Sequence, residues 1–143
     1  MKIRIKRIDK TLPLPEYKTA GAAGFDFTSR VSITIDPKTI AYVPLNVAMS
    51  HPKKHMLLVA ARSSLHKKGL MLANGVGIGD EDFSGNTDEY RAALYNFGEK
   101  PAFIERGERI VQGIFKEYMR AEWEEVENLE NPSRGGFGST GSI

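Results

Sequence analysis

Carboxylates at two places in the chain could take part in acid–base or metal chemistry. Asp26 stands between Phe25 and Phe27, and at strand spacing the two rings share one face while the carboxylate takes the other. Residues 80–82 are three consecutive acids, and in an extended backbone the first and third would share a face. That pair could hold a metal, although solvated acids in a turn are the commoner arrangement.

A second type of cluster could bind an anion. Arg62, Ser63 and Ser64 follow an apolar run and open a short predicted helix, where unpaired backbone N–H groups add to the guanidinium. The alternative is a helix cap with an incidental arginine. Further along the chain, Arg109 and Gln112 would lie on opposite faces of an ideal strand, as a loop salt bridge and an edge amide.

Two segments are rich in glycine. Glycines alternate at positions 75, 77 and 79 within residues 74–85, a spacing that brings the backbone close to a flat group or to another chain. The pattern is not G-x-G-x-x-G opening a helix, so it does not indicate dinucleotide binding. Residues 132–142 have no strand or helix period; they read as a flexible tail or as an arm whose N–H groups wrap phosphate oxygens.

Composition excludes several classes of protein. The 143-residue chain has no cysteine, which rules out a disulfide scaffold, a thiol nucleophile and a Cys-ligated metal site. Its net charge of +2 argues against a nucleic-acid partner, and its apolar runs are too short for a membrane span or a signal peptide. We expect one small cytoplasmic domain, with its three histidines (His51, His55 and His66) exposed to solvent.

The elements that must position these residues are mostly strands. Apolar and polar residues alternate with a period of two, and predicted strands cover residues 3–5, 31–35, 40–43, 47–50, 56–62, 90–96, 102–105 and 109–116. Asn74 and Gly75 predict a two-residue hairpin turn. One short helix is predicted over residues 64–68, capped by Ser63 or Ser64 and ended by Gly69. Many short strands of this kind predict an all-β sandwich or barrel.

Taken in order, five segments resemble the five motifs of the trimeric dUTPase family. They are A-G-F-D-F, A-R-S-S-L, N-G-V-G-I-G-D-E-D-F-S-G, R-G-E-R-I-V-Q-G-I-F and R-G-G-F-G-S-T-G, and together they span residues 22–141. The pattern is most similar to phage and Gram-positive members. The resemblance implies a jelly-roll-like β-barrel over residues 1–131, a flexible glycine-rich arm over residues 132–143, and a homotrimer with three shared active sites.

The activity that the resemblance implies is hydrolysis of dUTP to dUMP and pyrophosphate, which limits uracil in DNA and supplies dUMP for dTTP synthesis. Asp80 matches the carboxylate that activates the water attacking the α-phosphorus. Phe83 would pack on the deoxyribose where a 2′-hydroxyl would clash. The hairpin that holds uracil would comprise Asn74, Gly75, Val76, Gly77 and Ile78.

The same resemblance implies which residues bind the triphosphate and the metal. Mg²⁺ would be bound mainly through the substrate, with Asp26 contacting it through water. In the arm, Phe137 would cap the uracil ring, next to Gly138. The implied phosphate contacts are Arg62, Ser63, Ser64, Gln112, Arg134, Ser139 and Thr140. The arm would close over a site of a neighbouring subunit.

Elementary chemistry limits what Asp80 can contribute. An aspartate has an ordinary pKa near 3.9, so it is a weak base at neutral pH, and general-base help is worth roughly 10²–10⁴ in rate. Most of the acceleration must therefore come from charge stabilisation of the triphosphate by Mg²⁺, Arg62 and backbone N–H groups in a closed, dry site.

The chain departs from the usual family pattern at several points. Gly79 stands where isoleucine is usual and Phe83 where tyrosine is usual. The segment 86–90 is about three residues longer than the common form, and the arm is two residues shorter between Arg134 and Phe137.

Two alternative functions follow from these patterns. A dCTP deaminase shares the fold and an R-S-S-L motif, but its catalytic glutamate would fall at Ala93, three residues before Asn96. A regulatory binding protein with the same fold would change its affinity for a partner when nucleotide closes the arm, with residues 87–90 as its contact surface. The cytoplasm in question would be that of a host cell if a phage encodes the chain.

Overall fold

The computed structural model describes residues 1–136, and these residues form an almost purely β-stranded structure. The strands are β1 (Arg4–Arg7), β2 (Phe25–Thr28), β3 (Ile33–Ile35), β4 (Ile40–Pro44), β5 (Val47–Ser50), β6 (His55–Ala61), β7 (Leu70–Leu72), β8 (Gly77–Gly79), β9 (Arg91–Asn96), β10 (Ala102–Ile104) and β11 (Arg109–Glu117). The all-β prediction is confirmed. None of the helical segments within residues 1–136 has the length and apolar character needed to cross a membrane.

All the strand pairs are antiparallel, and they build a jelly-roll-like fold from four sheets. The largest sheet has the order β2-β11-β6-β8, and a second has the order β4-β9-β7. The pairs β1-β5 and β10-β3 complete the set. The four-stranded sheet matters most for function, because Asp26, Gln112 and the residues just before Arg62 and Asp80 all belong to it.

The core lies between the sheets and follows the alternation of the sequence. On β2 the rings of Phe25 and Phe27 are buried while Asp26 is half-buried on the other face, as predicted. Gly113 on β11 lies under these rings, and a methyl group built on it would approach each ring to 2.7 Å. A glycine at this position therefore lets the two aromatic rings pack directly on the backbone of β11.

The short helix is present as a single 3-10 turn over Leu65–Lys68. Gly69 ends it in the left-handed conformation, with φ of +73° and an N–H that donates to the carbonyl of His66 at 2.9 Å. Ser64 occupies the N-cap position, as one of the two predicted alternatives, but its side chain makes no capping hydrogen bond. The hydroxyl is not used by the turn.

The predicted hairpin at Asn74 and Gly75 is wrong in its pairing, although the turn itself forms. Gly75 has φ of +70°, and its N–H donates to the carbonyl of Leu72 at 3.1 Å. However, β7 pairs with β9 while β8 pairs with β6, so the turn carries the chain from one sheet to another. Local turn chemistry specifies the reversal of direction and does not specify the partner strand.

A bulge in β11 overturns the expectation that Arg109 and Gln112 lie on opposite faces. Arg109 pairs with Thr28, whereas Val111 pairs with Phe27, so one extra residue is inserted. The consecutive residues Ile110 and Val111 are both buried as a result. Because the bulge absorbs one residue, Arg109 and Gln112 lie on the same face as Asp26.

The histidines are less exposed than predicted. His51 is only 7% exposed, its ring edges against Phe115 at 5.4 Å between centroids, and neither ring nitrogen has a hydrogen-bond partner among the described residues. The prediction fails because His51 directly follows β5, whose first three residues are all buried. His55 is half-buried, with Nδ1 at 2.9 Å from the Lys53 carbonyl. His66 is exposed as predicted.

Candidate active site

A cavity of about 520 Å³ lies between β8, β9 and the loop that joins them. Its walls include five of the site residues that the resemblance implies, and one residue that the sequence placed only in the long segment 86–90. These are Asn74, Gly77, Ile78, Asp80, Phe83 and Tyr90. The glycine at position 77 allows this arrangement, because a methyl group there would lie 3.2 Å from Cβ of Val59 on the paired strand. Gly75 and Val76, in the preceding turn, are exposed and do not line the cavity.

Asp80 enters the cavity from a turn that directly follows β8. The carbonyl of Asp80 accepts a hydrogen bond from the N–H of Phe83 at 3.1 Å, so the backbone is not extended here and the strand-like alternation expected for residues 80–82 is wrong. The carboxylate is exposed to solvent. Among the described residues no group donates a hydrogen bond to it.

The neighbouring acid, Glu81, stabilises the position of this turn. Its carboxylate accepts hydrogen bonds from the N–H of Lys54 at 2.6 Å and from the hydroxyl of Tyr118 at 2.9 Å. These donors, the Lys54 N–H first, lower the pKa of Glu81 below its ordinary value because they stabilise the ionised form. Glu81 thus ties the turn to the start of β6 and the end of β11, and Asp80 is left facing the cavity.

Sequence reasoning placed Tyr90 only in the long segment 86–90 and gave it no part in the substrate site, although it lines this cavity. Its side chain is buried, its hydroxyl has no hydrogen-bond partner among the described residues, and its ring meets Phe83 edge to face at 5.2 Å between centroids. Burial first, and then the charges of Asp80 and Asp88, raise the pKa of Tyr90 to about 12. The sequence carries no signal for this, because Tyr90 meets these residues only through the fold.

The extra segment before β9 also forms part of the cavity wall, through Thr87, Asp88 and Glu89. It is held firmly: Glu89 accepts two hydrogen bonds from Arg30, at 2.7 and 3.0 Å, and one from the N–H of Asn46 at 3.0 Å. Ala93 lines the same cavity, so a small methyl group stands where a deaminase would need a glutamate.

A second cluster collects the predicted phosphate-binding residues on the face of the four-stranded sheet. Asp26 lies between two guanidinium groups: Nε of Arg62 is 3.0 Å from one carboxylate oxygen, and Nη1 of Arg109 is 2.9 Å from the other. Gln112 donates to the carbonyl of Ala61 at 3.0 Å. Two cations against one anion leave this cluster with an excess positive charge, which suits a polyanion.

Arg62, Ser64 and Arg109 also line a cavity of about 310 Å³, together with Lys68. No residue lines both this cavity and the one beside Asp80, so within one chain the two clusters are separate. Ser63 is exposed and lines neither of them.

The remaining predicted site residues lie in the C-terminal segment. Arg134 is exposed, and Phe137, Gly138, Ser139 and Thr140 lie outside the described residues. Within residues 1–136 no group of three histidine or acidic side chains is arranged to hold a metal ion.

The chain is similar to known dUTPases along almost its entire length. A model of the dUTPase family matches residues 10–141. The deoxyuridine 5′-triphosphate nucleotidohydrolase of Dictyoglomus turgidum is 38% identical, over 99% of this chain and 99% of its own length. The crystal structure of the dUTPase from Streptococcus mutans is 30% identical with a TM-score of 0.75, over 83% of this chain and 98% of that one.

A dUTPase of Staphylococcus bacteriophage 80alpha, in a mutant form, has a TM-score of 0.87 over 98% of each chain, and at 23% identity it supports the fold alone. The family model and the relatives above 30% identity cover the motifs, the cavity beside Asp80 and the arginine cluster. The chain therefore belongs to the dUTPase family of enzymes.

Proposed function

We propose that this enzyme hydrolyses dUTP to dUMP and pyrophosphate, with Asp80 as the general base. The observation that carries the proposal is the exposed carboxylate of Asp80 in the wall of a cavity that also holds Asn74 and Phe83. A base of this kind needs a lone pair that points at a bound water, and no group within residues 1–136 donates a hydrogen bond to the Asp80 carboxylate. The relative from Dictyoglomus turgidum, named for this reaction, supports the substrate.

The cavity beside Asp80 suits a pyrimidine nucleoside. Asn74 and the backbone of β8 offer hydrogen-bond donors and acceptors for one pyrimidine edge, and the glycine at position 77 brings that backbone close. A wrong base would leave these groups unpaired, which discriminates more strongly than a missing methylene does. Phe83 would lie against the deoxyribose and exclude a ribose 2′-hydroxyl by contact.

The arginine cluster would bind the triphosphate. Arg62 and Arg109 are already oriented by Asp26, so little ordering is lost when phosphate oxygens arrive. Mg²⁺ would supply further charge neutralisation on the triphosphate. Asp26 suits an outer contact through water better than direct ligation, because each of its oxygens already faces a guanidinium.

The separation of the two clusters in one chain supports a site assembled from several chains. A nucleotide would place its base and sugar against the Asp80 cavity of one subunit and its phosphates against the arginine cluster of another. The homotrimer proposed here brings such surfaces together by symmetry. The arm, with Arg134, Phe137 and the residues 138–140, would then close the site and exclude water.

The test is pyrophosphate release from dUTP, dCTP, dTTP and UTP, measured for the wild type, Asp80→Asn and the matched control Asp82→Asn. We expect turnover of dUTP alone, a loss of at least about a hundredfold in kcat for Asp80→Asn, and a nearly unchanged rate for Asp82→Asn. Full activity of Asp80→Asn would disprove the base assignment, and equal turnover of UTP would disprove the sugar contact at Phe83.

The alternative function as a regulatory binding protein stays a prediction, and a binding experiment can test it. Within the predicted contact surface 87–90, Tyr90 and the Glu89 side chain are buried, so only Thr87 and Asp88 can contact a protein partner. Binding through them should change when a dUTP analogue occupies the cavity that they line. A pull-down in which the bound partners are the same with and without nucleotide would disprove this alternative and would not affect the proposed hydrolysis.

A further inference from the structure

Positions 79 and 90 fill one volume in a complementary way. A methyl group built on Gly79 would lie 2.7 Å from Cε1 of Tyr90 and 2.7 Å from its hydroxyl oxygen. Side-chain atoms do not approach each other this closely, so the phenol ring can occupy its place only because residue 79 has no side chain. Behind the glycine, the space is closed by Leu57, whose Cβ would lie 3.1 Å from the same methyl group.

Tyr90 contacts the chain on both sides of Asp80. Gly79 is the residue before Asp80, and Phe83 closes the turn after it by donating its N–H to the Asp80 carbonyl. The Tyr90 and Phe83 rings meet at an interplanar angle of 73° with centroids 5.2 Å apart. Asp80 itself is exposed, so packing of its own side chain does not fix its position.

Tyr90 is held rigidly enough to serve as a reference point. Its N–H donates to the carbonyl of Val47 at 3.0 Å, and its carbonyl accepts from the N–H of Leu45 at 2.9 Å. Its ring also packs against Phe27 in the core, at 6.3 Å between centroids. The side chain therefore links the core to the turn that carries Asp80.

We propose that Tyr90 is a positioning residue for Asp80, whose ring holds Gly79 and Phe83 in place and thereby sets where the carboxylate enters the cavity. The inference rests on the proposed function, in which Asp80 is the general base. A misplacement of about 1 Å at a reacting group can cost about a hundredfold in rate, so a lost ring contact is enough to be measured.

The experiment is a double-mutant cycle at positions 79 and 90, with kcat and KM for dUTP measured for each variant. We expect Tyr90→Leu and Gly79→Ala each to lower kcat by about tenfold or more, while KM changes by less than about threefold. The kcat of the double variant should be at least about fivefold higher than that of the less active single variant, because the methyl group occupies space that the ring has vacated. Tyr90→Phe keeps the ring and should keep kcat within about twofold.

A wild-type kcat for Tyr90→Leu, or strictly additive losses in the double variant, would overturn the proposal. So would a loss in Tyr90→Phe as large as that in Tyr90→Leu, because the hydroxyl and not the ring would then be responsible. Thermal unfolding of each variant identifies any single variant that does not fold, in which case Tyr90→Phe and the double variant decide. If Asp80→Asn is active, the proposed function fails; if it is inactive and the cycle is additive, only this inference fails.

Discussion

At the scale of single residues, the buried Tyr90 hydroxyl has no hydrogen-bond partner within residues 1–136, which is an energetic cost to the fold. A buried hydroxyl without a partner loses its hydrogen bonds to water and gains none in return. In this protein the cost lies next to the proposed base, where Tyr90 lines the same cavity as Asp80. The ring gives the site its shape, and the oxygen atom adds nothing to the stability of the protein.

Tyr90→Phe should therefore make the protein more stable, by about 1 kcal/mol at neutral pH. Urea unfolding followed by fluorescence measures this. The matched control is Tyr95→Phe, on the strand β9 that follows Tyr90, where we expect a change within about 0.5 kcal/mol. Destabilisation by Tyr90→Phe larger than that of the control would show that the hydroxyl has a partner.

The raised pKa of Tyr90 adds a pH dependence of known sign to the same experiment. The folded value is about 12 against an ordinary value of 10.0, so the folded state keeps its proton where the unfolded chain loses it. The stabilisation that arises from this difference in pKa is fully present below pH 10 and is lost as the pH rises from 10 towards 12. Tyr90→Phe should lack this part of the alkaline loss.

At the scale of elements, the long segment before β9 is anchored through one ion pair. The Glu89 side chain is 8% exposed and that of Arg30 is 31% exposed, and the Glu89 carboxylate raises the pKa of Arg30. Removing the acid would leave a partly buried guanidinium without its nearest counter-charge and the N–H of Asn46 without its acceptor. The wall of the cavity thus depends on a contact made well away from Asp80.

Glu89→Ala should cost about 2 kcal/mol of unfolding free energy, because solvent screens the partly exposed Arg30, and it should lower the affinity for dUTP, because the segment 87–90 loses its anchor. The matched control is Glu99→Ala, which removes the exposed partner of Lys38 and should cost less than about 0.5 kcal/mol. Chemical unfolding and KM measurements report the two effects separately. Equal costs for the two variants would contradict the anchoring role of Glu89.

The sequence predicts the elements of this fold better than it predicts their mutual contacts. The burial of Phe25 and Phe27 on one face of β2, with Asp26 on the other, follows from alternation alone. The common face of Arg109 and Gln112 does not, because a bulge is defined only relative to the partner strand.

The same limit applies to individual site residues. The approach of Tyr90 to Gly79 and the burial of His51 against Phe115 both join residues that are distant in sequence. A one-dimensional pattern records which face of a strand is apolar, and it does not record what lies opposite that face. The motif residues could be named from the sequence because the family resemblance carries three-dimensional information that periodicity lacks.

At the scale of the whole molecule, a site divided between chains predicts complementation between inactive variants. Asp80→Asn chains retain Arg62, and Arg62→Ala chains retain Asp80, so neighbouring chains in a mixed trimer can form an intact site. The two variants are unfolded together and refolded in equal amounts, so about three quarters of the trimers contain both kinds of chain. Each mixed trimer has one intact site of its three, and we therefore expect about one quarter of the wild-type rate. Separately refolded variants, mixed afterwards, are the control. No recovery would mean that one chain supplies both residues.

The bulge in β11 also determines where this strand can change in length. Ile110 is the inserted residue, so its deletion would straighten the pairing and still leave Arg109 beside Asp26. An insertion or deletion after Gln112 would exchange the two faces of the strand beyond its own position. Placed directly before Gly113, it would also put a side chain beneath the core rings. A one-residue change in length at the bulge therefore keeps the faces of β11 in register, although a deletion there removes the buried Ile110 side chain, whereas a change further along the strand does not keep that register.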